Sequence, residues 1–368
     1  MRPRVIDANR VKSSTYMEWA KTRSQARFNL ATSGVMPYPI AEFPVTIEDI
    51  ELSGLSAYGY EPLQQALARK CGVDPENVVA AIGTSMANHL AMAAMLEPGD
   101  EVVIERPVYD PLISVARYLG ADIRRVERRA ENNFRLDPED LNRAVTNRTR
   151  LIVMTNLHNP TGVFTDTDAL VQVRDIASRA GARVLIDEVY LEAMFDQAPL
   201  SSFRLGNEFV ATASLTKAYG LSGLRCGWVL AEPDLAKKMW RVNDLFGSIP
   251  PHAAERLSVI ALANLDLMSS RAQTLLKKNR ALVDQFLDSR DDLEAVRPRF
   301  GTVVAPKVKA GADKLCALLR EKYETSVVPG RFFEMPDHIR IGFACDSEML
   351  AEGLERLATA LDELRPTI

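Results

Sequence analysis

The pattern of apolar and polar positions changes repeatedly between residues 78 and 232, where short apolar runs alternate with amphipathic stretches. A short apolar run between turn residues predicts a strand, and a continuous run such as LIVM predicts a strand buried on both faces. The runs are DEVVIERP (100–107), ADIRRVER (121–128), TRLIVMTN (149–156), ARVLIDEVY (182–190), EFVATASL (208–215) and RCGWVLAE (225–232). Helical periods lie between them, as in VYDPLISVARYLG and DALVQVRDIASRAG. This alternation predicts an α/β domain whose mostly parallel sheet is covered by helices on both faces.

The pattern differs after about residue 250, where long helical periods replace the short runs. One strand is predicted near 338–344, and a closing helix near 347–363. The proline-rich stretch GVMPYPIAEFP (34–44) is too rigid for regular structure and predicts an extended crossing segment. We therefore expect three regions: an N-terminal arm that is partly in a small domain (1–44), a large domain (45–260) and a small C-terminal domain (261–368).

Composition and charge exclude several classes of protein. The 368 residues carry a formal net charge of −4, which is not typical of a nucleic-acid-binding protein. Basic residues among the first thirty are expected on a solvated helix face. They are Arg2, Arg4, Arg10, Lys12, Lys21, Arg23 and Arg27. No run reaches the roughly 20 apolar residues of a membrane span, and the N-terminus lacks the apolar stretch of a signal peptide.

The four cysteines show no paired spacing and no clustering with histidine. They are Cys71, Cys226, Cys316 and Cys345. A disulfide framework or a zinc site needs such clustering, so we expect free thiols and no metal. These features together predict a soluble cytoplasmic protein.

Polar residues at the predicted strand ends offer the candidate chemistry, because ligands of open α/β sheets bind beyond the carboxyl ends of the strands. Lys217, in SLTKAYGLSGLRCGW (214–228), can form an imine with a carbonyl compound when its amine is neutral. Arg225 is the cation expected to lower the pKa of Lys217, and its planar fork also suits a phosphate. Ser214 adds a hydroxyl, and the glycines of the run are expected to let the backbone approach a bulky ligand.

Two further strand ends offer an anion site and a buried carboxylate, each with a simpler alternative. Gly83, Thr84 and Ser85 begin a helical stretch whose first amides can bind an anion or merely cap the helix. Asp187 follows an apolar strand, where an unpaired carboxylate is costly. It therefore either faces a cation such as a protonated pyridine nitrogen or caps the next segment. A turn after it is expected to bring the Tyr190 phenol to the same site.

Four other residues each allow a structural and a functional interpretation. Asn159, in LHNPTG, is either a plain turn residue or a donor to a phenolate oxygen. Tyr109 is either core or a ring that stacks on a planar ligand. Arg340, in HIRIGFAC, shares a strand face with small residues and is either a carboxylate clamp or an exposed edge residue. His158 is either a residue that touches substrate or a packed core histidine, and the second is expected.

Together these residues resemble the class I/II aminotransferases, the pyridoxal-phosphate (PLP) enzymes with the aspartate-aminotransferase fold. The most specific match is Ser-x-[Ser/Thr]-Lys followed by Gly-x-Arg-x-Gly, within residues 214–227. The order GTS, PVY, NPTG, DEVY, SLTK, GLRCG and RIGF is also that of the family. The resemblance implies a large domain with a mostly parallel seven-stranded sheet between helices. It also implies a smaller α+β domain formed by the N-terminal segment and the C-terminal third.

The resemblance assigns roles to the matching positions. Lys217 would be the Schiff-base lysine and the base, and Asp187 would pair with the pyridinium nitrogen. Asn159 and Tyr190 would hold the ring oxygen, while Tyr109 would stack on the ring. The residues that bind the phosphate would be Gly83, Thr84, Ser85, Ser214 and Arg225. In a homodimer, Tyr58, or else Tyr60, would reach the phosphate of the neighbouring subunit. Arg340 would bind the substrate α-carboxylate, with Asn159 beside it and Gly34 lining the pocket.

The implied reaction is transfer of an amino group from an amino acid to a 2-oxo acid. Family members that prefer dicarboxylic substrates use a further arginine, but the corresponding stretch 242–251 contains Asp244 and no arginine. Arg241 lies close to it, and the direction of its side chain is open. One rival reaction is β-elimination by a lyase on the same scaffold. A second rival is a PLP-binding regulatory domain, which would need a winged-helix domain ahead of Gly34, where some thirty residues are too few.

Overall fold

The structure is a computed structural model that describes residues 12–365. Its helices are α1 Thr15–Thr22, α2 Glu61–Cys71, α3 Gly83–Met95, α4 Asp110–Tyr118, α5 Pro138–Ala144, α6 Thr167–Ala180, α7 Pro233–Asn243, α8 His252–Ala263, α9 Leu265–Asp288, α10 Ala312–Lys322 and α11 Ser347–Glu363. Its strands are β1 Phe28–Asn29, β2 Val78–Ile82, β3 Glu101–Arg106, β4 Asp122–Glu127, β5 Thr149–Thr155, β6 Arg183–Asp187, β7 Phe209–Ser214, β8 Cys226–Leu230, β9 Leu293–Glu294, β10 Val303–Val304, β11 Lys307–Val308, β12 Thr325–Ser326, β13 Val328–Pro329 and β14 Ile339–Gly342. Three of the basic residues noted near the N-terminus, Arg2, Arg4 and Arg10, lie outside the described residues.

Seven strands form one sheet in the order β2-β8-β7-β6-β5-β3-β4. Neighbours pair in parallel from β7 to β4, and β8 alone runs against both of its neighbours. The predicted mostly parallel seven-stranded sheet is therefore confirmed. In a parallel sheet the carboxyl ends lie along one edge, so the residues that follow β3, β5, β6 and β7 meet there.

Alternate residues of the central strands enter two different cores. Val184 and Ile186 of β6 pack into one core with α6, while Leu185 between them packs into the other, with α3. Successive side chains of a strand point to opposite faces, so a strand with apolar residues on both must be covered on both. This explains why the continuous runs LIVM and RVLI form the centre of the sheet.

A separate core forms in the C-terminal part, where α9, α10 and α11 pack against β14. The N-terminal segment joins it: Leu30 and Val35 are buried in this core, and β1 pairs with β12. A smaller α+β unit built from both ends of the chain was predicted and is confirmed. The boundaries predicted at residues 44 and 260 stay a prediction. Helix α11 has the predicted limits, 347–363.

The segment after β1 runs between the two cores. Val35 N donates to Lys217 O at 2.8 Å, Tyr38 N to Gly220 O at 3.0 Å and Met36 N to Ala344 O at 2.9 Å. Apart from a short 3-10 turn at Ile40–Glu42, residues 34–44 are extended, as expected. These bonds fix the N-terminal segment directly against Lys217. Within residues 12–365, no helix is long and apolar enough to cross a membrane.

Candidate active site

One hollow opens at the carboxyl edge of the sheet, with an empty volume of about 760 Å³ that is partly open to solvent. Its walls are Tyr16, Met17, Ser33, Thr84, Ser85, Asn88, Tyr109, Thr155, Asn159, Asp187, Val189, Tyr190, Ser214, Thr216, Lys217 and Arg225. Nine of the residues singled out from the sequence are among them. They are Thr84, Ser85, Tyr109, Asn159, Asp187, Tyr190, Ser214, Lys217 and Arg225. Strand ends separated by more than a hundred residues thus converge on one place.

Lys217 extends into the hollow from the loop after β7. Its Nζ lies 3.2 Å from Ser33 Oγ, which also accepts a 2.7 Å hydrogen bond from the Tyr190 hydroxyl. Removal from water lowers the pKa of Lys217 by more than the nearby Tyr16 and Asp187 raise it, and Arg340 and Arg225 lower it further. The expected cation effect of Arg225 is present but is smaller than that of burial. The amine is therefore shifted towards its neutral, nucleophilic form.

Asp187 ends β6 and is only 4% exposed. Its Oδ1 accepts from Val189 N at 3.0 Å, and its Oδ2 accepts from Asn88 Nδ2 at 2.8 Å. Burial raises the pKa of Asp187 to about 6, although these bonds and Lys217 oppose the shift. One oxygen therefore caps the following turn, and the carboxylate also lies in the wall of the hollow. Its pairing with a cation stays a prediction.

Asn88 is a residue of the site that the sequence analysis missed. Its Oδ1 accepts from Thr212 Oγ1 at 2.6 Å, which leaves its amide nitrogen to donate to Asp187. It lies four positions after Thr84 on α3, so the two side chains share one face of the helix. That spacing from the GTS motif was the signal that could have found it.

Arg340 is fully buried in β14 and bonds to two residues of the wall, Asn159 and Tyr16, without lining the hollow itself. Its Nη1 donates to Asn159 Oδ1 at 3.1 Å, and its Nη2 donates to Tyr16 OH at 3.2 Å and to Ala31 O at 3.1 Å. Its buried Nε has no partner among the described residues. A guanidinium has five N–H donors, so the Nε–H and the second N–H of Nη1 remain without a partner among the described residues.

Gly342 is one of the small residues that share the strand face of Arg340 and that were expected to leave room for a ligand. A Cβ on Gly342 would lie 1.8 Å from Thr32 O. The absent side chain admits the N-terminal segment, not a substrate. The alternative of an exposed edge residue is wrong, because Arg340 has no exposed surface.

The glycines after Lys217 also serve the protein's own backbone. A Cβ on Gly220 would lie 2.4 Å from Met36 O, and one on Gly227 would lie 2.4 Å from the carbonyl carbon of Gly83. Gly223 has no atom near its missing Cβ. The expectation that these glycines give a ligand access to the backbone is therefore wrong for Gly220 and Gly227.

A cradle for an anion lies where α3 begins beside β8. Gly83 is the first residue of α3, and Arg225 Nη2 lies 3.4 Å from Ile82 O just before it. Thr84 Oγ1 is buried with no hydrogen-bond partner among the described residues. An unpaired buried hydroxyl, the free amides of a helix N-terminus and a guanidinium together suit a phosphate. The Ser214 hydroxyl, at the end of β7, borders the same space.

Three residues named from the sequence lie at the edge of this arrangement or outside it. Gly34 abuts the floor, since a Cβ there would lie 3.4 Å from Lys217 Cδ. Tyr58 is 47% exposed and bonds to Arg241 and Asp244 on the surface, away from its own chain's hollow. Tyr60 packs edge-on against His252. Arg241 therefore points to Tyr58 and not into the hollow of its own chain.

His158 is a packed core histidine, as predicted. It is 1% exposed, with Nδ1 2.6 Å from Thr161 Oγ1 and Nε2 3.0 Å from Pro107 O. Because a carbonyl can only accept, Nε2 carries the proton and Nδ1 accepts. Burial lowers the pKa of His158 to about 4, so the ring is neutral. It joins the loop that leads to Tyr109 to the loop of Asn159.

Tyr16, Met17 and Ser33 are among the further residues of the hollow that the sequence did not indicate. Tyr16 is buried on α1, and its ring meets that of Tyr109 edge-on at 5.4 Å. Met17 lies beside it, with Sδ 3.6 Å from the Tyr109 hydroxyl. Neither residue belongs to a motif, and only the fold brings α1 over the sheet. Ser33 directly precedes Gly34, which was the one nearby signal.

A hollow of this make-up defines a PLP-dependent enzyme of the aspartate aminotransferase fold. The chain belongs to the class I and II aminotransferases, because that family's model matches residues 51–357. It is 32% identical to capreomycidine synthase of Streptomyces vinaceus, over 94% of this chain and 92% of that protein. It is 29% identical to a probable aspartate/prephenate aminotransferase of Thermus aquaticus, over 82% of each chain.

Solved structures give the same result. A PLP-dependent aminotransferase from Streptococcus suis superposes with a TM-score of 0.90 at 26% identity, over 96% of this chain and 98% of that one. The PLP-dependent cyclase OrfR superposes with a TM-score of 0.87 at 25% identity, over 98% and 99% of the two chains. The expected family and the PLP cofactor are therefore confirmed. The names of these relatives differ in the reaction, since they include aminotransferases, a synthase and a cyclase.

Proposed function

We propose that this protein is a PLP-dependent aminotransferase, which moves an amino group from an amino acid to a 2-oxo acid. The observation that supports it is the single hollow that holds a lysine of lowered pKa, a buried carboxylate and an anion cradle. Bound PLP supplies an acceptor for the electron pair that an amino acid releases when its Cα–H bond breaks. The residues of the chain would hold the cofactor and the substrate, orient them and transfer the proton at Cα.

Each group of the hollow has a role in this proposal. Lys217 would hold the cofactor and would carry the proton to and from Cα. Asp187 would face the ring nitrogen, since a buried carboxylate favours a cation beside it. Tyr190 and Asn159 would hold the ring oxygen, and Tyr109 would pack against the ring. The Gly83, Thr84 and Ser85 amides, with Ser214 and Arg225, would hold the phosphate.

The substrate's α-carboxylate binds Arg340 in this proposal. Asn159 and Tyr16, which both line the hollow, hold the guanidinium in place, and the second N–H of Nη1 has no partner among the described residues. The distal part of the substrate meets Tyr16 and Met17, with Gly34 in the floor. Arg225, which belongs to the phosphate cradle, is the one arginine that lines the described hollow. No further arginine in that lining is left to bind a distal carboxylate. A donor without a distal carboxylate is therefore favoured over aspartate.

The test is a screen of amino acids as donors, with 2-oxoglutarate and pyruvate as acceptors, monitored by amino acid analysis. We expect stoichiometric formation of a new amino acid and a new 2-oxo acid, with donors that lack a distal carboxylate preferred. Release of ammonia and pyruvate without any acceptor would instead identify a β-elimination lyase. Binding of PLP without turnover of any donor would leave only the regulatory alternative.

Intramolecular cyclisation is a second candidate function. It is favoured by the 32% identity to capreomycidine synthase and by the superposition on the cyclase OrfR over nearly the whole of both chains. Such a reaction uses the same proton transfer at Cα but consumes no 2-oxo acid. Mass spectrometry of a guanidino amino acid incubated with the holoenzyme separates the two functions. A cyclic product formed without an acceptor supports the cyclase, and an amino group found on the acceptor supports the aminotransferase.

Homodimer formation belongs to the same proposal. Large apolar side chains are exposed on the segments 40–55 and 245–267. They are Ile40, Ile47, Ile50, Leu52, Leu55, Leu245, Phe246, Ile249 and Leu267. Tyr58 lies between these segments, where a second copy could bring it to the neighbouring phosphate site. Sedimentation equilibrium tests the assembly, and a monomer with full activity would contradict it. A cytoplasmic location stays a prediction, although the four cysteines are free, as expected.

A further inference from the structure

Glu105 is a buried carboxylate to which the proposed chemistry assigns no role. It lies in β3 with no exposed surface, and its Oε2 accepts from Arg128 Nε at 2.7 Å. Its Oε1 accepts from Thr155 N at 2.7 Å and from Thr155 Oγ1 at 2.8 Å. Glu105 does not line the hollow, but Thr155 does. The carboxylate therefore stands one residue behind the site.

The end of the ladder between β3 and β5 explains why a carboxylate is buried here. The last paired residues are Ile104 and Val153, so the N–H of Thr155 has no backbone acceptor on β3. A buried N–H needs a partner, and Glu105 provides it. Arg128 offsets the charge, and its other nitrogens donate to Phe134 O and Thr165 Oγ1. The group is a closed network of satisfied polar atoms.

The carboxylate also sets the direction of the Thr155 hydroxyl. An ionised carboxylate only accepts, so the hydroxyl proton points at Glu105 and a lone pair points away from it. Asn159 N donates to that lone pair at 3.0 Å. The backbone of Asn159 is thereby tied to β5 through a side chain, at the point where the chain leaves the sheet.

The side chain of Asn159 is held at the same time. Arg340 is a donor only, so the Asn159 atom that faces it at 3.1 Å is the amide oxygen. The amide nitrogen of Asn159 is then left to donate into the hollow. We infer that Glu105 and Thr155 form a positioning relay, with Arg128 as counter-ion, that holds Asn159 so that this nitrogen meets the ring oxygen of PLP. The inference rests on the proposed role of Asn159.

The opposite end of the same strands offers a matched control. Thr149 of β5 donates to Glu101 of β3 at 2.7 Å, and both are buried, but that end is far from the hollow. We would compare Thr155→Val and Thr149→Val, which each remove one buried hydroxyl of equal shape, and use Thr155→Ser as the rescue variant. The readouts are the Kd of the apoprotein for PLP, the pH midpoint of the visible absorption of the holoenzyme, and the hydrogen-exchange rate of the Asn159 amide.

We expect Thr155→Val to weaken PLP binding about tenfold, which is the usual effect of one unpaired buried group. The pH midpoint of the visible absorption should rise, because a misplaced donor stabilises negative charge on the ring oxygen less well. The Asn159 amide should exchange about tenfold faster in the apoprotein. Thr155→Ser should restore all three values, and Thr149→Val should change only the unfolding midpoint.

Equal effects of Thr155→Val and Thr149→Val on the Kd and on the midpoint would overturn the relay. So would an Asn159 amide that exchanges at the same rate in the wild type and in Thr155→Val. The exchange measurement on apoprotein needs neither PLP nor turnover. Failure of the proposed function would appear separately, as a wild-type protein that binds no PLP. If Thr155→Val does not fold, hydrogen exchange of the wild-type apoprotein still tests the relay. The relay requires slow exchange of the Asn159 amide, which donates to the Thr155 hydroxyl. Fast exchange of that amide would contradict it.

Discussion

Strands β3 and β5 carry a glutamate and a threonine at both ends, and the two pairs differ in what surrounds them. At the amino end Glu101 meets Thr149, Thr146 and Arg148, whose side chain is 68% exposed. At the carboxyl end Glu105 meets Thr155 and Arg128, and the two ions have no exposed surface. The first pair fixes the start of the ladder beside solvent, while the second lies behind the hollow.

The difference shows that the same pair of residue types takes its role from its place in the fold. A parallel sheet puts the start of every strand at one edge and every following loop at the other. Polar groups at the amino edge therefore serve register and stability. Those at the carboxyl edge also determine where the side chains of the hollow point. Substitutions at the two edges should thus separate stability from PLP binding and turnover.

The largest expected effect is that of Lys217→Ala at the carboxyl edge. Loss of the only amine in the described hollow should remove the visible absorption of bound PLP and lower turnover by about 10⁴-fold or more, since nucleophile and base are lost together. Arg148→Ala, which removes a cation at the amino edge, should leave both unchanged. Absorption spectra and donor turnover are the measurements. A Lys217→Ala protein that keeps both would refute the assignment of this edge.

A smaller effect concerns Asp187 and depends on pH. Burial raises the pKa of Asp187 to about 6 in the free chain, so below that pH its carboxyl holds a proton that the protonated ring nitrogen must displace. The affinity for PLP should therefore fall about tenfold per pH unit below about pH 6 and stay constant above it. Asp187→Asn should weaken binding by about a thousandfold at neutral pH and abolish this dependence.

Titration of the apoprotein with PLP at a series of pH values measures the Asp187 effect. Asp122→Asn, which changes an exposed carboxylate where β4 begins, is the matched control and should keep the wild-type profile. A wild-type affinity that stays flat as the pH falls from about 7 to about 5 would contradict the pairing of Asp187 with a protonated ring nitrogen.

Arg340→Lys should raise the KM for the amino donor by about 100-fold with a smaller change in kcat. A lysine keeps the charge but lacks the planar fork that bonds Asn159 and Tyr16 at the same time, so it cannot be held in the same position for a carboxylate. Arg148→Lys at the amino edge should leave the KM as it is. Steady-state kinetics with saturating acceptor measure both variants, and an unchanged KM for Arg340→Lys would remove it from the substrate site.

The smallest effect is expected for Glu101→Gln. Although burial opposes it, hydrogen bonds from Thr146 and Thr149 and the Arg148 guanidinium lower the pKa of Glu101. The stabilisation is therefore present above the ordinary glutamate pKa and is lost as the pH falls below it. At neutral pH the variant should lose about 1 kcal/mol of unfolding free energy, less in acid, with no change in PLP affinity. Urea unfolding at two pH values measures the change in stability. A change in PLP affinity would contradict the assignment of stability alone to the amino edge.

The sequence predicted the sheet well because burial on both faces leaves a local mark. Runs such as LIVM and RVLI between turn residues are typical of central strands, and the polar residues just after them fall at the ligand-binding edge. Two-residue strands such as β1 and β12 were not predicted, because two residues show no period. Their pairing is decided by tertiary contacts between the chain's two ends.

The site was predicted where its residues belong to motifs and missed where they do not. Asp187 and Lys217 stand beside strands and could be inferred locally. Tyr16, Asn88 and Glu105 act through partners that are distant in sequence: Tyr16 through Arg340, Asn88 through Asp187 and Glu105 through Thr155. Hydrogen bonds between residues 50 to 324 positions apart leave no pattern in the sequence. Among these three residues only Asn88 had a local signal, its position four residues after Thr84 on the same helix.

The central claim is that Lys217 is the lysine that binds PLP covalently. The most direct test reduces the PLP-loaded protein with borohydride, digests it and locates the added pyridoxyl mass by tandem mass spectrometry. The claim predicts one modified peptide, with the modification on Lys217 and none on Lys70, which is ion-paired with Glu192 outside the hollow. Modification of another lysine, or none at all, would contradict it.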